Sequence, residues 1–347
     1  MKARTGIARL AALSALAVAC NLDKGPAGPA SPSFNRSPAS EASLLQDSVR
    51  PQDTDPAIDR ALDRHYVWLD RAARSNHKLL VFMPGRGGRP ANLQLVQREA
   101  AGLGYHVIGL MYQNDVLLAG VCGRVPDPNT CFETIRLEIL DGIDRSPLVD
   151  VSKANSIENR LTKLLQFLTV NYPDDGWNRF LLPDRPKWSQ IAVGGFSQGG
   201  GQAAMIAKLH VVARVVLFSA SPDSVHTEAP QWLATHVTPS ERYWGLAHDR
   251  DAFFRPILAS WDSLGMAAFG DTAYVEAREP PYGFTHMLVT HLLPQTGSYA
   301  NNAGHGATVA DQLTPLRGDG TPILDDAWRY LLTAREPDED DTEADDR

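Results

Sequence analysis

A serine flanked by glycines is the residue of this chain with the clearest chemical meaning. Gly195-Phe196-Ser197-Gln198-Gly199 has the G-x-S-x-G spacing of a nucleophilic serine, although such a short pattern often occurs by chance. The context is more specific, because an apolar stretch at 190–194 precedes it and a small-residue stretch at 198–209 follows it. A strand, a tight turn and a helix in this order lift the serine hydroxyl above the edge of a sheet. A plain glycine-rich turn is the structural alternative, and a phosphate-binding loop is disfavoured because the Lys-Ser/Thr ending is absent.

The elements that must position this serine alternate between strand and helix from residue 60 onward. Short apolar runs predict strands at 65–69, 79–83, 105–111, 190–194, 214–219, 243–247 and 287–293. Helices are predicted at 93–103, 156–171, 198–209 and around Trp328, Leu331 and Leu332. Nearly continuous apolar strands between helices are typical of a parallel sheet that is covered on both faces. We therefore expect one α/β domain over 56–335, with insertions.

The order of strand, serine turn, acid and histidine resembles that of the α/β-hydrolase superfamily. The run G-F-S-Q-G-G at 195–200 resembles the turn of its bacterial carboxylesterase-like members. The resemblance covers about 75–335 and implies an eight-stranded, mostly parallel sheet with helices on both faces. It also implies a Ser–acid–His triad that hydrolyses carboxylic esters through an acyl-enzyme, without a metal or cofactor. Only one good strand precedes Leu79, so the sequence does not predict the first hairpin of that fold.

The acid of the triad should follow a late strand. In the family it lies a few residues beyond the seventh strand, which favours Asp251 and leaves Asp249 as a near rival. Asp223, after the sixth strand, is a third candidate. Asp249 and Asp251 also form a weak candidate cation site, since no further ligand spacing accompanies them.

The base must follow the acid, and three histidines do so. His291 lies inside the apolar run 287–293 and is expected in the core, while His286 begins that run. His305 lies in the Asn- and Gly-rich segment 301–306, beyond the last strand, where the family presents its base. We therefore expect His305 to be the base.

Two backbone N–H groups should stabilise the oxyanion that forms during acyl transfer. One is expected from Gln198, next to the serine, and the other from the turn Pro84-Gly85-Arg86-Gly87-Gly88. The resemblance implies Arg86 as the donor of that turn, with Gly87 next. Residues 113–155 and 252–285 should shape the pocket, but they do not reveal the substrate. A catalytically idle binding lipoprotein, or a peptidase or acyltransferase with the same triad, remains an alternative.

The first 55 residues are predicted to contain a targeting signal and a tether. Lys2, Arg4 and Arg9 precede an apolar run at 10–19 that is too short to span a bilayer, which is typical of a signal peptide over 1–19. Leu16-Ala17-Val18-Ala19-Cys20 resembles the lipobox of bacterial lipoproteins, although its Leu stands one place early. That resemblance implies cleavage before Cys20 and acylation of its sulfur. An ordinary signal peptide cleaved after an Ala-x-Ala motif is the alternative.

Segment 20–55 is rich in Pro, Ser, Ala and Asp, and is expected to be a disordered tether that spans roughly 30 Å as flexible coil. The protein should therefore be exported and anchored at the cell envelope, facing the periplasm or the exterior. Export permits a disulfide between Cys122 and Cys131, with two free thiols as the alternative.

The net charge of −8 is concentrated in the acidic segment 336–347, which is expected to be a disordered tail. The remaining body is mildly acidic, so it offers no electrostatic footprint for a nucleic acid. Its expected partners are a membrane, through the anchor, and a small-molecule or lipid ester.

Overall fold

The computed structural model describes residues 43–294 and 303–335. The predicted signal peptide, Cys20, most of the tether and the acidic tail lie outside the described residues. The strands are β1 Leu44–Val49, β2 His65–Asp70, β3 Leu79–Met83, β4 His106–Gly109, β5 Ile191–Phe196, β6 Arg214–Phe218, β7 Tyr243–His248, β8 Ala273–Tyr274 and β9 Met287–Thr290. The helices are α1 Pro51–Thr54, α2 Gln94–Gly102, α3 Leu118–Cys122, α4 Pro128–Asp141, α5 Ile157–Asn171, α6 Gln198–Leu209, α7 Phe254–Ser263, α8 Ala303–Ala307 and α9 Asp325–Thr333.

The strands of the described ranges form one mostly parallel sheet in the order β1-β2-β4-β3-β5-β6-β7-β9-β8. Strand β2 runs antiparallel to both of its neighbours, and the pairs from β4 to β8 are parallel. This arrangement confirms the predicted α/β class, with a mostly parallel central sheet.

Helices cover both faces of the sheet, as the apolar strands predict. Strand β3 is buried throughout; its Leu79, Val81 and Met83 belong to one hydrophobic core and its Leu80 and Phe82 to the other. Helices α4, α5 and α6 contribute side chains to the first core, and α2 and α9 contribute to the second. Each strand can therefore be apolar at successive positions, because no face is left to water.

The folded part of the chain begins earlier than residue 56. Strand β1 lies within the segment that the composition assigns to the tether, and it pairs antiparallel with β2 along its length. The prediction of disorder up to residue 55 is therefore wrong from Leu44 onward, and the first hairpin is present. Pairing at a sheet edge uses backbone groups and one half-buried face, so it needs few apolar residues.

The long excursion between β4 and α5 is more helical than its turn-rich sequence suggests. Helices α3 and α4 occupy much of it, and Asp127 caps α4 by accepting a hydrogen bond from the Thr130 N–H at 3.2 Å. Cys122 ends α3 and Cys131 lies in the first turns of α4, with their sulfur atoms 2.06 Å apart. The structure thus pairs the two cysteines that the sequence leaves after Cys20.

Strand β1, the first strand of the described chain, begins at the end of the sheet opposite the serine turn. The start of β1 pairs with the end of β2, which pairs with the start of β4, and that in turn pairs with the start of β3. Met83, at the opposite end of β3, pairs with Gly195 near the serine.

Within 43–294 and 303–335, every helix is too short or too polar to cross a bilayer.

Candidate active site

The serine turn has the geometry that the sequence predicts. Strand β5 ends at Phe196 and α6 begins at Gln198, and Ser197 between them has a left-handed backbone with φ of 53°. Such a backbone is strained for a residue with a side chain and is typical of functional turns. The flanking glycines are required by close packing, since a Cβ at Gly199 would lie 2.2 Å from the Met83 carbonyl oxygen and one at Gly195 would lie 2.5 Å from the Gly199 carbonyl carbon.

Ser197, His305 and Asp251 form one hydrogen-bonded chain. His305 Nε2 lies 2.8 Å from Ser197 Oγ, and His305 Nδ1 lies 2.6 Å from Asp251 Oδ2. An ionised carboxylate only accepts, so His305 Nδ1 carries the proton and Nε2 is free to accept from the serine hydroxyl. The side chains of His305 and Asp251 are 4% and 0% exposed, which shields this chain from water.

Separate elements bring these three residues together. Asp251 follows β7, and its Oδ1 accepts a hydrogen bond from the Phe253 N–H at 2.8 Å, which fixes the carboxylate. His305 lies in the short helix α8, where its ring packs against Phe196 and Phe253 with centroids at 4.9 and 5.4 Å. The structure therefore brings together the acid and the base that the sequence favours.

The rival acids have other contacts. Asp249 donates its backbone N–H to Thr290 O at 3.1 Å, and its Oδ1 lies 3.5 Å from His248 Nδ1. Asp223 is buried in a bidentate ion pair with Arg136, at 2.6 and 2.7 Å. Within the two described ranges no group of three or more His, Cys, Asp or Glu side chains lies close enough to hold a metal ion.

The rival bases also lie elsewhere. His286 is fully buried between the rings of Trp244 and Phe269, with centroids at 3.6 and 4.1 Å. Strand β9 ends at Thr290, so His291 lies beyond it with 51% of its side chain exposed and Glu276 at 3.7 Å. The prediction that His291 is a core residue is therefore wrong, because the strand is shorter than the apolar run.

The turn that follows β3 lies against the serine. A Cβ at Gly85 would lie 3.2 Å from Ser197 Cβ. The backbone N–H groups of Arg86 and Gln198 donate to no acceptor in the described parts of the chain. Gly87, the second choice for the donor, is engaged, since its N–H donates to Asn114 O at 3.0 Å. Arg86 and Gln198 thus remain the candidates for the oxyanion hole.

A buried arginine that the sequence reading missed supports the first turn of α6. Arg136 Nη1 donates to Gln198 O at 3.2 Å and to Gln202 Oε1 at 2.9 Å, while its other donors bind Asp223. A Cβ at Gly201 would lie 2.3 Å from Arg136 Nη2, so this glycine makes room for the guanidinium. The sequence held one signal for this role: Arg136 lies on a helix face whose other residues are apolar.

Two titratable groups near the site have shifted pKa values. Burial lowers the pKa of His248, whose Nδ1 accepts the Arg250 N–H at 3.0 Å in the turn before Asp251. Burial also raises the pKa of Asp311 to about 6, against hydrogen bonds that its carboxylate accepts from Gln94 N–H and Leu95 N–H. These bonds tie the segment after His305 to the start of α2.

Comparison with known proteins adds no relative to this geometry. The sequence matches none of the protein-family models against which it was scanned, and a search of curated proteins found no match. The function must therefore be inferred from the geometry of the site itself.

Proposed function

We propose that this protein is a serine hydrolase of the α/β-hydrolase fold that cleaves carboxylic esters through an acyl-enzyme. The observation that carries the proposal is the buried hydrogen-bonded chain from Ser197 through His305 to Asp251. A nucleophile, a base within hydrogen-bonding distance and an acid that orients the base are the parts that acyl transfer needs. Their order along the chain, Ser, Asp, His, is that of the α/β hydrolases.

The sheet supports the assignment of the fold. Without the two-residue strand β8, it has the eight strands that the resemblance implies, and Ser197 follows a central strand, β5. The strained serine backbone and the glycines around it agree with a nucleophile elbow.

The mechanism follows from the positions of the atoms. His305 Nε2 takes the proton of Ser197 Oγ as the oxygen attacks the acyl carbon, and the Arg86 and Gln198 N–H groups donate to the oxyanion. Asp251 stabilises the imidazolium that forms. His305 then gives the proton to the leaving alcohol. In the second half of the reaction, His305 takes a proton from water as the water oxygen attacks the acyl carbon, and it returns the proton to Ser197 Oγ as the acid is released.

The test is Ser197→Ala, with Ser189→Ala as control because Ser189 is exposed just before β5. Ser197→Ala should lose hydrolysis of p-nitrophenyl esters and labelling by a fluorophosphonate, while Ser189→Ala keeps both. Undiminished ester hydrolysis by folded Ser197→Ala would contradict the proposal. An idle binding protein would hydrolyse nothing even as wild type. A matched set of esters and amides separates an esterase from a peptidase, and transfer of the acyl group to an added alcohol identifies an acyltransferase.

We propose further that the protein works outside the cytoplasm on a lipid anchor at Cys20. The basic start, the short apolar run and the small residues before Cys20 support this location. The paired Cys122 and Cys131 agree with an oxidising compartment. Strand β1 begins at the end of the sheet opposite Ser197, so the proposed tether would join the domain away from the serine.

Fractionation of expressing cells tests the anchor. Wild type should be found with membranes and should incorporate a fatty-acid label, and Cys20→Ala should be released without the label. Retention of Cys20→Ala on membranes would contradict lipidation as the anchor.

Non-reducing peptide mapping of the exported protein should recover one peptide pair linked through Cys122 and Cys131.

A further inference from the structure

Two buried side chains from outside the turn that supplies the Arg86 N–H bind its carbonyl groups: the Tyr112 hydroxyl donates to Pro84 O at 3.0 Å, and Asn114 binds the glycines. Asn114 lies beyond the end of β4 and is 4% exposed. Its Nδ2 donates to Gly85 O at 2.8 Å and to Gly88 O at 3.0 Å, and its own carbonyl oxygen accepts the Gly87 N–H at 3.0 Å. The side-chain amide therefore binds the turn at both ends, and the backbone of the same residue binds its middle.

These bonds leave the backbone N–H of Arg86 free. Gly88 N–H is taken within the turn by Gly85 O at 3.0 Å, and the Arg86 side chain is held by Asp115 O through Nε at 3.3 Å. In the part of the chain that the structure describes, the Arg86 backbone N–H has no acceptor. A turn of this kind, rich in glycine, has many alternative backbone conformations unless something fixes it. Tyr112 holds Pro84, before the glycines, whereas Asn114 is bonded to Gly85, Gly87 and Gly88 and so supplies that constraint. Gly85 in turn lies against Ser197.

We propose that Asn114 is a positioning residue that preorganises the oxyanion hole by fixing the direction of the Arg86 N–H. This inference rests on the proposed function, and it extends it to a residue that touches no substrate. Donors fixed before the reaction stabilise the developing charge without reorganising as it forms. The contribution of Asn114 is therefore made in the transition state, so its loss should lower kcat and leave KM nearly unchanged.

The expected size of the effect follows from what is lost. Removing one oxyanion donor outright typically costs about 10²–10³-fold in kcat. Asn114 variants keep the Arg86 N–H but release its direction, so a loss of about 10- to 100-fold is expected. Asn114→Ser keeps a single, shorter donor and should fall between wild type and Asn114→Ala. Asn114→Asp should be the most impaired, because a carboxylate would face two carbonyl oxygens that need donors.

The experiment counts active sites before it compares rates. Each variant is titrated to completion with a fluorophosphonate, and kcat per titrated site and KM are measured on p-nitrophenyl butyrate. A trifluoromethyl ketone, which forms an oxyanion on the serine, provides a second measurement, and its affinity should fall in parallel with kcat. Asn171→Asp is the matched control, since it makes the same amide-to-carboxylate change at an exposed residue of α5, whose Nδ2 donates to a backbone carbonyl oxygen, that of Phe167, at 2.8 Å.

The outcomes separate this inference from the proposed function. A graded loss of kcat per site in the Asn114 variants, with KM unchanged and Asn171→Asp as active as wild type, supports the role of Asn114. Variants with fewer titratable sites but normal kcat per site would overturn it, because Asn114 would then serve the fold alone, and failure of all three variants to fold would do the same. If Ser197→Ala loses activity while every Asn114 variant keeps it, the serine mechanism stands and only the positioning role fails.

Discussion

The exchange of Asp251 for asparagine is the sharpest test of the proposed triad, because it replaces one oxygen atom by an NH₂ group and keeps the shape of the side chain. The carboxylate accepts from two N–H groups at once, that of Phe253 through Oδ1 at 2.8 Å and that of His305 through Oδ2 at 2.6 Å. Asparagine has one oxygen and one NH₂ group, so it can satisfy one of these donors only. If its oxygen keeps Phe253, its NH₂ faces His305 Nδ1, which must then lose its proton.

The consequence for the reaction is large. With Nδ1 unprotonated, His305 carries its proton on Nε2, which faces Ser197 and can no longer take the serine proton. The wrong tautomer in an otherwise intact triad costs about 10⁴-fold in kcat in a serine protease, and we expect Asp251→Asn to lose roughly 10³–10⁴-fold. Because the side chain is fully buried, no nearby water is expected to replace the lost acceptor.

The assay compares kcat for Asp251→Asn and Asp249→Asn on one activated ester, after circular dichroism has shown that both are folded. Asp249→Asn should retain most of the activity, because the Asp249 carboxylate lies near His248 and not near His305. An active Asp251→Asn enzyme, or an inactive Asp249→Asn enzyme, would refute the assignment of the acid.

Three further predictions concern the base, the buried ion pair and the pH dependence of stability. His305→Ala should lose nearly as much activity as Ser197→Ala, and the double variant should lose little more, since nucleophile and base act as a unit; additive losses in kcat would contradict this. Arg136→Met should destabilise the fold by about 3–5 kcal/mol in denaturant unfolding, because it leaves Asp223 as an unpaired buried charge, and a second exchange of that aspartate for leucine should recover most of the loss. The pKa of Asp311 is raised to about 6 from 3.8, so the folded state holds its proton longer than the unfolded state, and stability should fall as pH rises from about 4 to about 6. Asp311→Asn should flatten that part of the stability curve, and an unchanged slope would exclude this carboxyl as its source.

The residues of the proposed triad could be located in the sequence because their signals are local. Ser197 is marked by adjacent glycines and by the change from an apolar strand to a helix of small residues. Asp251 and His305 are marked by their place after predicted strands, and the structure brings them within hydrogen-bonding distance of one another. The apolar run of β3 likewise predicted a strand buried on both faces, and its bounds agree with the structure.

Other features depend on pairing that no local pattern contains. Strand β1 is held by the backbone of β2, so a short polar-rich sequence at a sheet edge resembles a tether. The exposure of His291 depends on where β9 leaves its partners: the last pair of β7 and β9 is His248 with Thr290, although the apolar run continues to Leu293. In both cases tertiary contacts, and not composition, decide the boundary.

The side chains that support the proposed oxyanion hole could not be predicted for the same reason. Both come from one segment of the chain. Asn114 binds the carbonyl groups of Gly85 and Gly88, on either side of Arg86, and Arg136 binds the carbonyl group of Gln198, so a buried side chain supports the backbone at each expected donor. Both belong to the excursion between β4 and α5, which the sequence reading expected only to shape the pocket. The excursion reaches the site from the turn after β3 on one side and from the start of α6 on the other. The paired Cys122 and Cys131 lie between these two residues along the chain, so the disulfide ties α3 to α4 within the segment that supports both proposed donors.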